Sequence, residues 1–206
     1  MNGLEHLFKN NRAWSESFQS NPDFIKLSAG QAPEYFFIGC SDSRVPPELI
    51  LGLQPGDLFV HRNIGNLVLH TDINCQSVIQ YAVNVLKVSH IIIGGHYGCG
   101  GVKAALQERT SGVVGHWISP LRDLYRHHQE ELDAAGSEKQ QWDRLCELNV
   151  RAQVLNLCFT SFVQSAWHTG QSLSVHGWIY NLETGRMNDL GLTLSSPEDL
   201  SLLEKG

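Results

Sequence analysis

The sequence predicts an α/β protein: a mostly parallel central β-sheet flanked by helices, with an antiparallel edge strand and an N-terminal helical arm. Three observations carry that prediction. Ile91-Ile92-Ile93 runs into Gly94-Gly95, and consecutive β-branched residues are the pattern of a strand buried on both faces inside a parallel sheet. Tyr35-Phe36-Phe37-Ile38 runs in the same way into Gly39-Cys40. Between and after these runs the apolar period changes to that of helices, and strand, turn, helix, strand in this order implies right-handed parallel crossovers.

The elements follow in order. Residues 3–20 carry Leu4, Leu7, Phe8, Trp14 and Phe18 at helical spacing, an amphipathic arm. Asn21-Pro22 stops it, and Pro22 opens a short helix up to Gly30. The first strand is 35–40, followed by a helical turn over 47–52. A second strand over 57–63 follows the turn Gln54-Pro55-Gly56. Residues 72–86 place Ile73, Val78, Ile79, Ala82, Val83 and Leu86 on a helix that feeds a third strand over 88–94. Helices are expected over 102–109, 116–132 and 143–168, with Gly136-Ser137 as the break between the last two. Residues 173–180 form a fourth strand, 187–192 its hairpin partner after Glu183-Thr184-Gly185, and Pro197 starts a closing helix. No repeat or linker divides the chain. One domain spans 1–206, with 1–30 as the arm and 31–206 as the core.

Composition excludes several classes. Of 206 residues, 42% are hydrophobic and 17% charged, enough for a core and too little charge for a disordered chain. A formal net charge of -6 with no basic cluster speaks against nucleic acid as a partner. No run reaches the ~18 apolar residues of a membrane span. The start of the chain also lacks a secretory signal, so a cytoplasmic location is expected. Five cysteines, an odd number, argue against a disulfide framework. Cys75, Cys146 and Cys158 lie in apolar helical contexts and read as core. Cys40 and Cys99 each follow a glycine near a strand end.

Those two thiols open the chemistry. Side chains alternate along an extended segment, so Cys40, Asp42 and Arg44 point to one side at a strand's C-terminal end, where ligands bind in open α/β sheets. His96 and Cys99 are near enough to reach one cation, although Gly94–Gly101 also reads as a glycine-rich turn with an incidental histidine. If the first and third strands are neighbours, Cys40 meets His96 and Cys99. Two thiolates, an imidazole and a carboxylate form a zinc-type donor set. Iron–sulfur clusters want more cysteines.

Cys40-Ser41-Asp42-Ser43-Arg44, followed by His96-x-x-Cys99 embedded in glycines, resembles the β-class carbonic anhydrases. Phe59-Val60-His61-Arg62-Asn63-Ile64-Gly65-Asn66, Gln80-Tyr81-Ala82-Val83 and His176-Gly177-Trp178 extend the resemblance over most of residues 31–190. It implies one zinc per chain on Cys40, His96 and Cys99, with an exchangeable water or Asp42 in fourth place, and reversible hydration of carbon dioxide to bicarbonate. Carbonic anhydrase is the standard instance of zinc bringing the pKa of bound water to about 7. Asp42 and Arg44 are the implied catalytic pair: Arg44 holds the carboxylate off the metal while Asp42 orients the nucleophile.

The resemblance also implies a substrate pocket of Gln31, Phe59, Ile64 and Tyr81, some of it donated across a dimer interface. A homodimer or homotetramer is expected, with residues 3–28 wrapped on a neighbour; the arm's residues alone fit folding back on its own chain equally well. A regulatory bicarbonate site of some family members would use Arg62, Tyr180 and a tryptophan. Phe37 stands at the tryptophan position, so an indole N–H is missing and the anion binds weakly. Two other readings remain: a zinc hydrolase of carbonyl sulfide or carbon disulfide, and a non-catalytic zinc-stabilised module. A closed structural site has no need of Arg44. Of the other histidines, His127-His128 reads as a solvated helix face. His6, His70, His90, His116 and His168 have no partner at ligand spacing.

Overall fold

The computed structural model of the protein describes residues 3–18, 22–107 and 110–203. The chain forms two compact units, Met1–Ala32 and Pro33–Gly206. In the first, α1 (Glu5–Phe18) and α2 (Pro22–Leu27) are joined by an aromatic cluster. Trp14 stacks on Phe18 at 4.8 Å between ring centres, and Phe24 meets both rings edge-on at 5.9 and 5.6 Å. Helix α1 buries none of its residues. The predicted helix ends at 19–20 and 108–109 lie outside the described residues.

The larger unit holds one five-stranded sheet of β1 (Tyr35–Cys40), β2 (Leu58–Asn63), β3 (His90–His96), β4 (Ser174–Asn181) and β5 (Arg186–Leu194). The strand order is β2-β1-β3-β4-β5, parallel except for the antiparallel edge strand β5. Ile38 and Ile93 face Val150 and Val154 of the long helix α9 (Glu138–Cys158), together with Cys75 and Ile79 of α4 (Ile73–Gln80), all buried in one cluster. Burying these aliphatic side chains contributes about 1.5–3 kcal/mol each. A second cluster packs Leu121, Leu145 and Ile179 around Cys40 and Cys99. The chain leaves β1 for β2 on one side and β3 for β4 on the other. The order therefore reverses between β1 and β3, the switch point at which α/β sheets open a crevice beyond their C-terminal strand ends.

Several predicted boundaries shift, each for a local reason. The third strand runs to His96 rather than Gly94, because β4 continues beside it and pairs Tyr180 with His96. The helix expected over 72–86 is α4 followed by a wider π-helical turn, Tyr81–Leu86, which ends on Lys87 at φ +57°. After α5 (Gly100–Leu106), the helix expected over 116–132 is three: α6 (Gly112–Trp117), α7 (Ser119–His127) and α8 (Gln129–Ala134). Pro120 sits in the first turn of α7 and cannot continue α6. The helix expected over 143–168 starts earlier, at a Ser137–Gln140 capping box. It breaks at Thr160, whose hydroxyl accepts from Val163 N (3.4 Å) and so starts α10 (Ser161–His168). Two short helices, α3 (Pro47–Leu51) and α11 (Pro197–Leu203), fall where predicted. Among the described residues no helix is long and apolar enough to cross a membrane.

Candidate metal centre

Cys40 ends β1, His96 ends β3, and Cys99 is the residue before the first turn of α5. In-register pairing of Gly39 with Gly94 brings the two strand ends level. Positive φ at Gly98 (+71°) then folds the short turn that returns Cys99 beside His96. The adjoining Gly94 and Gly95 have no room for a Cβ, being pressed against the Phe37 ring and Val150 respectively. One ligand atom from each of Cys40, His96 and Cys99 lies within 4.8 Å of the other two, and the two Sγ atoms are 3.9 Å apart. All three side chains are buried.

The donor atoms are prepared for a soft cation. His96 Nδ1 donates to Tyr97 O (3.0 Å), which leaves the lone pair on Nε2. That Nε2 is buried without a hydrogen-bond partner. The shared contact between the thiols pulls the Cys40 pKa down against its burial and pushes that of Cys99 up. Two cysteine sulfurs and an unpartnered imidazole nitrogen fit a zinc ion, which binds S and N at about 2.0–2.3 Å.

Asp42 stands at the edge of this set and is held there. Arg44 Nε donates to Asp42 Oδ1 (2.8 Å) and one terminal nitrogen to Oδ2 (2.6 Å), the forked geometry of a guanidinium on a carboxylate. The backbone N–H of Arg44 adds a third bond (3.0 Å). The Arg44 side chain, then its backbone N–H, hold the Asp42 carboxyl well below the usual carboxylate range. Asp42 Oδ2 lies 3.8 Å from His96 Nε2. Arg44 also reaches Gly98 O (3.3 Å), tying the two loops together.

Supports surround the loops, of which the sequence singled out only Arg62, and in another role. Arg62 donates to the carbonyls of Cys40 (2.9 Å) and Asp42 (2.7 Å). Trp142 Nε1 donates to Cys99 O (3.0 Å), while Lys103 Nζ lies 4.7 Å from the Trp142 ring centre. Asn149 and Gln153, one turn apart on α9 and buried, reach Gly65 O (2.8 Å) and Val68 N (2.8 Å), and Asn156 reaches Val68 O (3.1 Å). These amides brace the segment after β2. Amides spaced four and three apart among the apolar residues of the buried side of α9 were the available signal.

The remaining predicted residues fall in different places. Ile64 packs on Gly101 of the metal loop. Phe59 lies between Phe36 (5.6 Å) and Tyr81 (5.9 Å). Its strand partner Phe36 precedes Cys40 by four residues, roughly 13 Å along the strand. Within one chain this aromatic pair therefore stays away from the metal loop. Gln31 is exposed in the N-terminal unit. Phe37, Arg62 and Tyr180 share one sheet face, but two N–H groups of Arg62 are already committed to the loop carbonyls. Cys75, Cys146 and Cys158 are buried thiols, as expected, and burial pushes each up to about 12. His90, without a partner at ligand spacing along the chain, lies 3.0 Å from His176 across β3 and β4.

Comparisons with known proteins agree with this geometry. A family model described as carbonic anhydrase matches residues 35–187. A carbonic anhydrase of Emericella nidulans is 46% identical over 190 residues, covering 91% of this chain and 83% of its own. One from Pseudomonas aeruginosa is 38% identical, covering 81% and 77%. Among solved structures, a Coccomyxa β-carbonic anhydrase in complex with acetazolamide superposes with a TM-score of 0.92 at 41% identity, covering 98% of this chain and 92% of that one. A tetrameric β-carbonic anhydrase from Sordaria macrospora gives 0.89 at 44% identity, covering 95% of this chain and 100% of that one. With the family match spanning most of the sheet and both metal-loop motifs, the chain belongs to the β-class carbonic anhydrases.

Proposed function

We propose that this protein catalyses the reversible hydration of carbon dioxide with one zinc per chain, held by Cys40, His96 and Cys99. The observation that carries the reading is the place of Asp42. An S₂N donor set is complete but for one position, and a carboxylate beside it is tied back by Arg44. Three protein donors with an open fourth position mark a catalytic zinc; four fixed donors mark a structural one.

When bound, zinc supplies Lewis-acid activation, so that a water becomes a nucleophile near neutral pH. The chain's own residues do the rest. The Arg44 fork fixes Asp42 with its charge intact, since its pKa lies far below neutrality. Asp42 Oδ2 then accepts a hydrogen bond from the attacking water and turns its lone pair toward the carbon. Oxygen attack on carbon dioxide gives bicarbonate, and the water's proton passes to solvent. Arg62 and Trp142 hold the carbonyls of Cys40, Asp42 and Cys99, so the donors keep their positions without reorganising.

Ile64 forms an apolar wall beside the metal loop. Phe59, Tyr81 and Gln31 complete the pocket from a neighbouring subunit, because within one chain the aromatic pair lies too far down the sheet. The exposed Leu4, Leu7, Phe8 and Ile25 of the arm and the tetrameric Sordaria relative support a homodimer or homotetramer with residues 3–28 against a neighbour. Arm and core act as one functional domain. Phe37, Arg62 and Tyr180 form at most a weak bicarbonate regulatory site. Five unpaired, buried thiols suit a reducing, cytoplasmic setting. The test is stopped-flow carbon dioxide hydration on zinc-loaded protein, with metal content measured on the same sample. Turnover proportional to zinc supports the reading. Zinc-replete protein that hydrates no carbon dioxide removes it in favour of the closed module, and turnover confined to carbonyl sulfide or carbon disulfide transfers it to those substrates.

A further inference from the structure

A second cluster of soft and hard donors lies where the sheet meets α4. His61 sits on β2, Asp72 caps the N-terminus of α4, and Cys75 follows in its first turn, three residues on and so on the same side of the helix. One ligand atom from each lies within 4.8 Å of the other two. His61 and Cys75 are buried and Asp72 is half-buried. Their recorded partners lie elsewhere. Asn63 Nδ2 approaches His61 Nε2 at 3.3 Å, Asp72 Oδ1 accepts from Asn74 N at 3.1 Å, and Cys75 Sγ contacts Leu67 O at 3.9 Å. An imidazole, a carboxylate and a thiol thus converge with no hydrogen bond or ion pair joining them to one another. Zinc at about 2.0–2.3 Å from tetrahedral ligands holds its donors roughly 3.3–3.8 Å apart, so small side-chain rotations close the gap.

We propose that His61, Asp72 and Cys75 form a second zinc site, separate from the metal loop and filled only when free zinc is abundant. The mixed S/N/O set selects a borderline-soft divalent cation over magnesium or calcium. Binding replaces the Cys75 S–H bond with a zinc–sulfur bond and releases that proton to solvent. Burial raises this thiol to about 12, so the site binds more weakly than one prepared with a thiolate. A path of hydrogen bonds leads from it toward the first site. Leu67 O, which Cys75 touches, accepts from Asn63 Nδ2 (2.8 Å), and Asn63 O accepts from Ser41 N (2.9 Å) between Cys40 and Asp42.

The site is tested on holoenzyme first freed of loose metal and then equilibrated with a large excess of free zinc. Wild-type protein should go from about one to about two zinc per chain and gain thermal stability as the second ion binds the folded state. Asp72→Asn keeps a good helix cap and Cys75→Ala keeps the fold's small core residue. Both should stop at about one and show no gain. Cys99→Ala should still take up one, which separates failure of this site from failure of the metal loop. In cobalt-exchanged protein the second equivalent should add thiolate-to-metal absorption in wild type and none in Cys75→Ala. A wild-type chain that stays at about one zinc under excess, or an Asp72→Asn chain that still takes two, overturns the proposal.

Discussion

The two donor clusters each gather three ligand atoms within 4.8 Å of one another and differ in everything around them. At Cys40, His96 and Cys99, the neighbours have already decided protonation. A carbonyl fixes the His96 tautomer, and the contact between the thiols lowers the Cys40 pKa. Guanidinium and indole N–H groups hold the loop backbone. At His61, Asp72 and Cys75, the thiol is pushed up to about 12 by burial and, less, by the Asp72 charge. The difference teaches that grouping of ligand types makes a metal site conceivable, while tautomer, charge and braced backbone make it strong.

The largest effect that sharpens the comparison is loss of a donor from each cluster. Cys99→Ala should lose the tightly held zinc, most of the stability that metal provides, and carbon dioxide hydration by at least about a hundredfold. Cys75→Ala should retain hydration within about twofold and cost only about 1–2 kcal/mol of core packing in urea unfolding. Equal losses in the two variants would erase the distinction.

Next comes the bracing. Arg62→Gln removes two donors from the carbonyls of Cys40 and Asp42. It should cost about 2 kcal/mol of stability and weaken the first zinc by about 10–100-fold, measured by competition with a chelator. Trp142→Phe keeps the ring and deletes one hydrogen bond to Cys99 O. About 1 kcal/mol is at stake, so zinc should leave about fivefold faster. Unchanged zinc release in both variants would mean that the backbone is held by other contacts.

The smallest expected effect lies away from both clusters. Burial, and then neighbouring His90, depress the pKa of His176 below its ordinary 6.5. The unfolded chain therefore binds that proton more readily. Stability from a neutral His176 is full above pH 6.5 and is lost as pH falls from there through the lower folded-state value. His176→Gln should flatten the fall of the urea midpoint below pH 6.5, and parallel wild-type and variant profiles would contradict this.

How much was legible follows the same physics. The β-branched run Ile91–Ile93 and the aromatic run Tyr35–Ile38, each ending at glycine, gave β3 and β1, because these are local patterns. The extended segment expected through Cys40, Asp42 and Arg44 is instead a turn at Ser43–Arg44, closed by Val45 N on Asp42 O (3.1 Å), and that turn, not alternation, brings Arg44 onto Asp42. Where helices break was less legible. Thr160 and Pro120 interrupt apolar periods that continue past them, so cap chemistry won over periodicity. Arg62, Trp142 and Asn149 act on carbonyls far away in sequence, and backbone acceptors leave no mark on side-chain patterns. His61 with Cys75, and His90 with His176, meet only because β2 faces α4 and β3 lies beside β4.

The central claim is that Asp42, tied back by Arg44, orients the nucleophile at a zinc held by Cys40, His96 and Cys99. Asp42→Asn keeps the volume and removes the charge. Stopped-flow hydration with zinc measured on the same sample should show about one zinc per chain retained and kcat/KM lowered about a hundredfold or more. Near-normal kcat/KM at full zinc occupancy would contradict the account and leave Asp42 as a bystander.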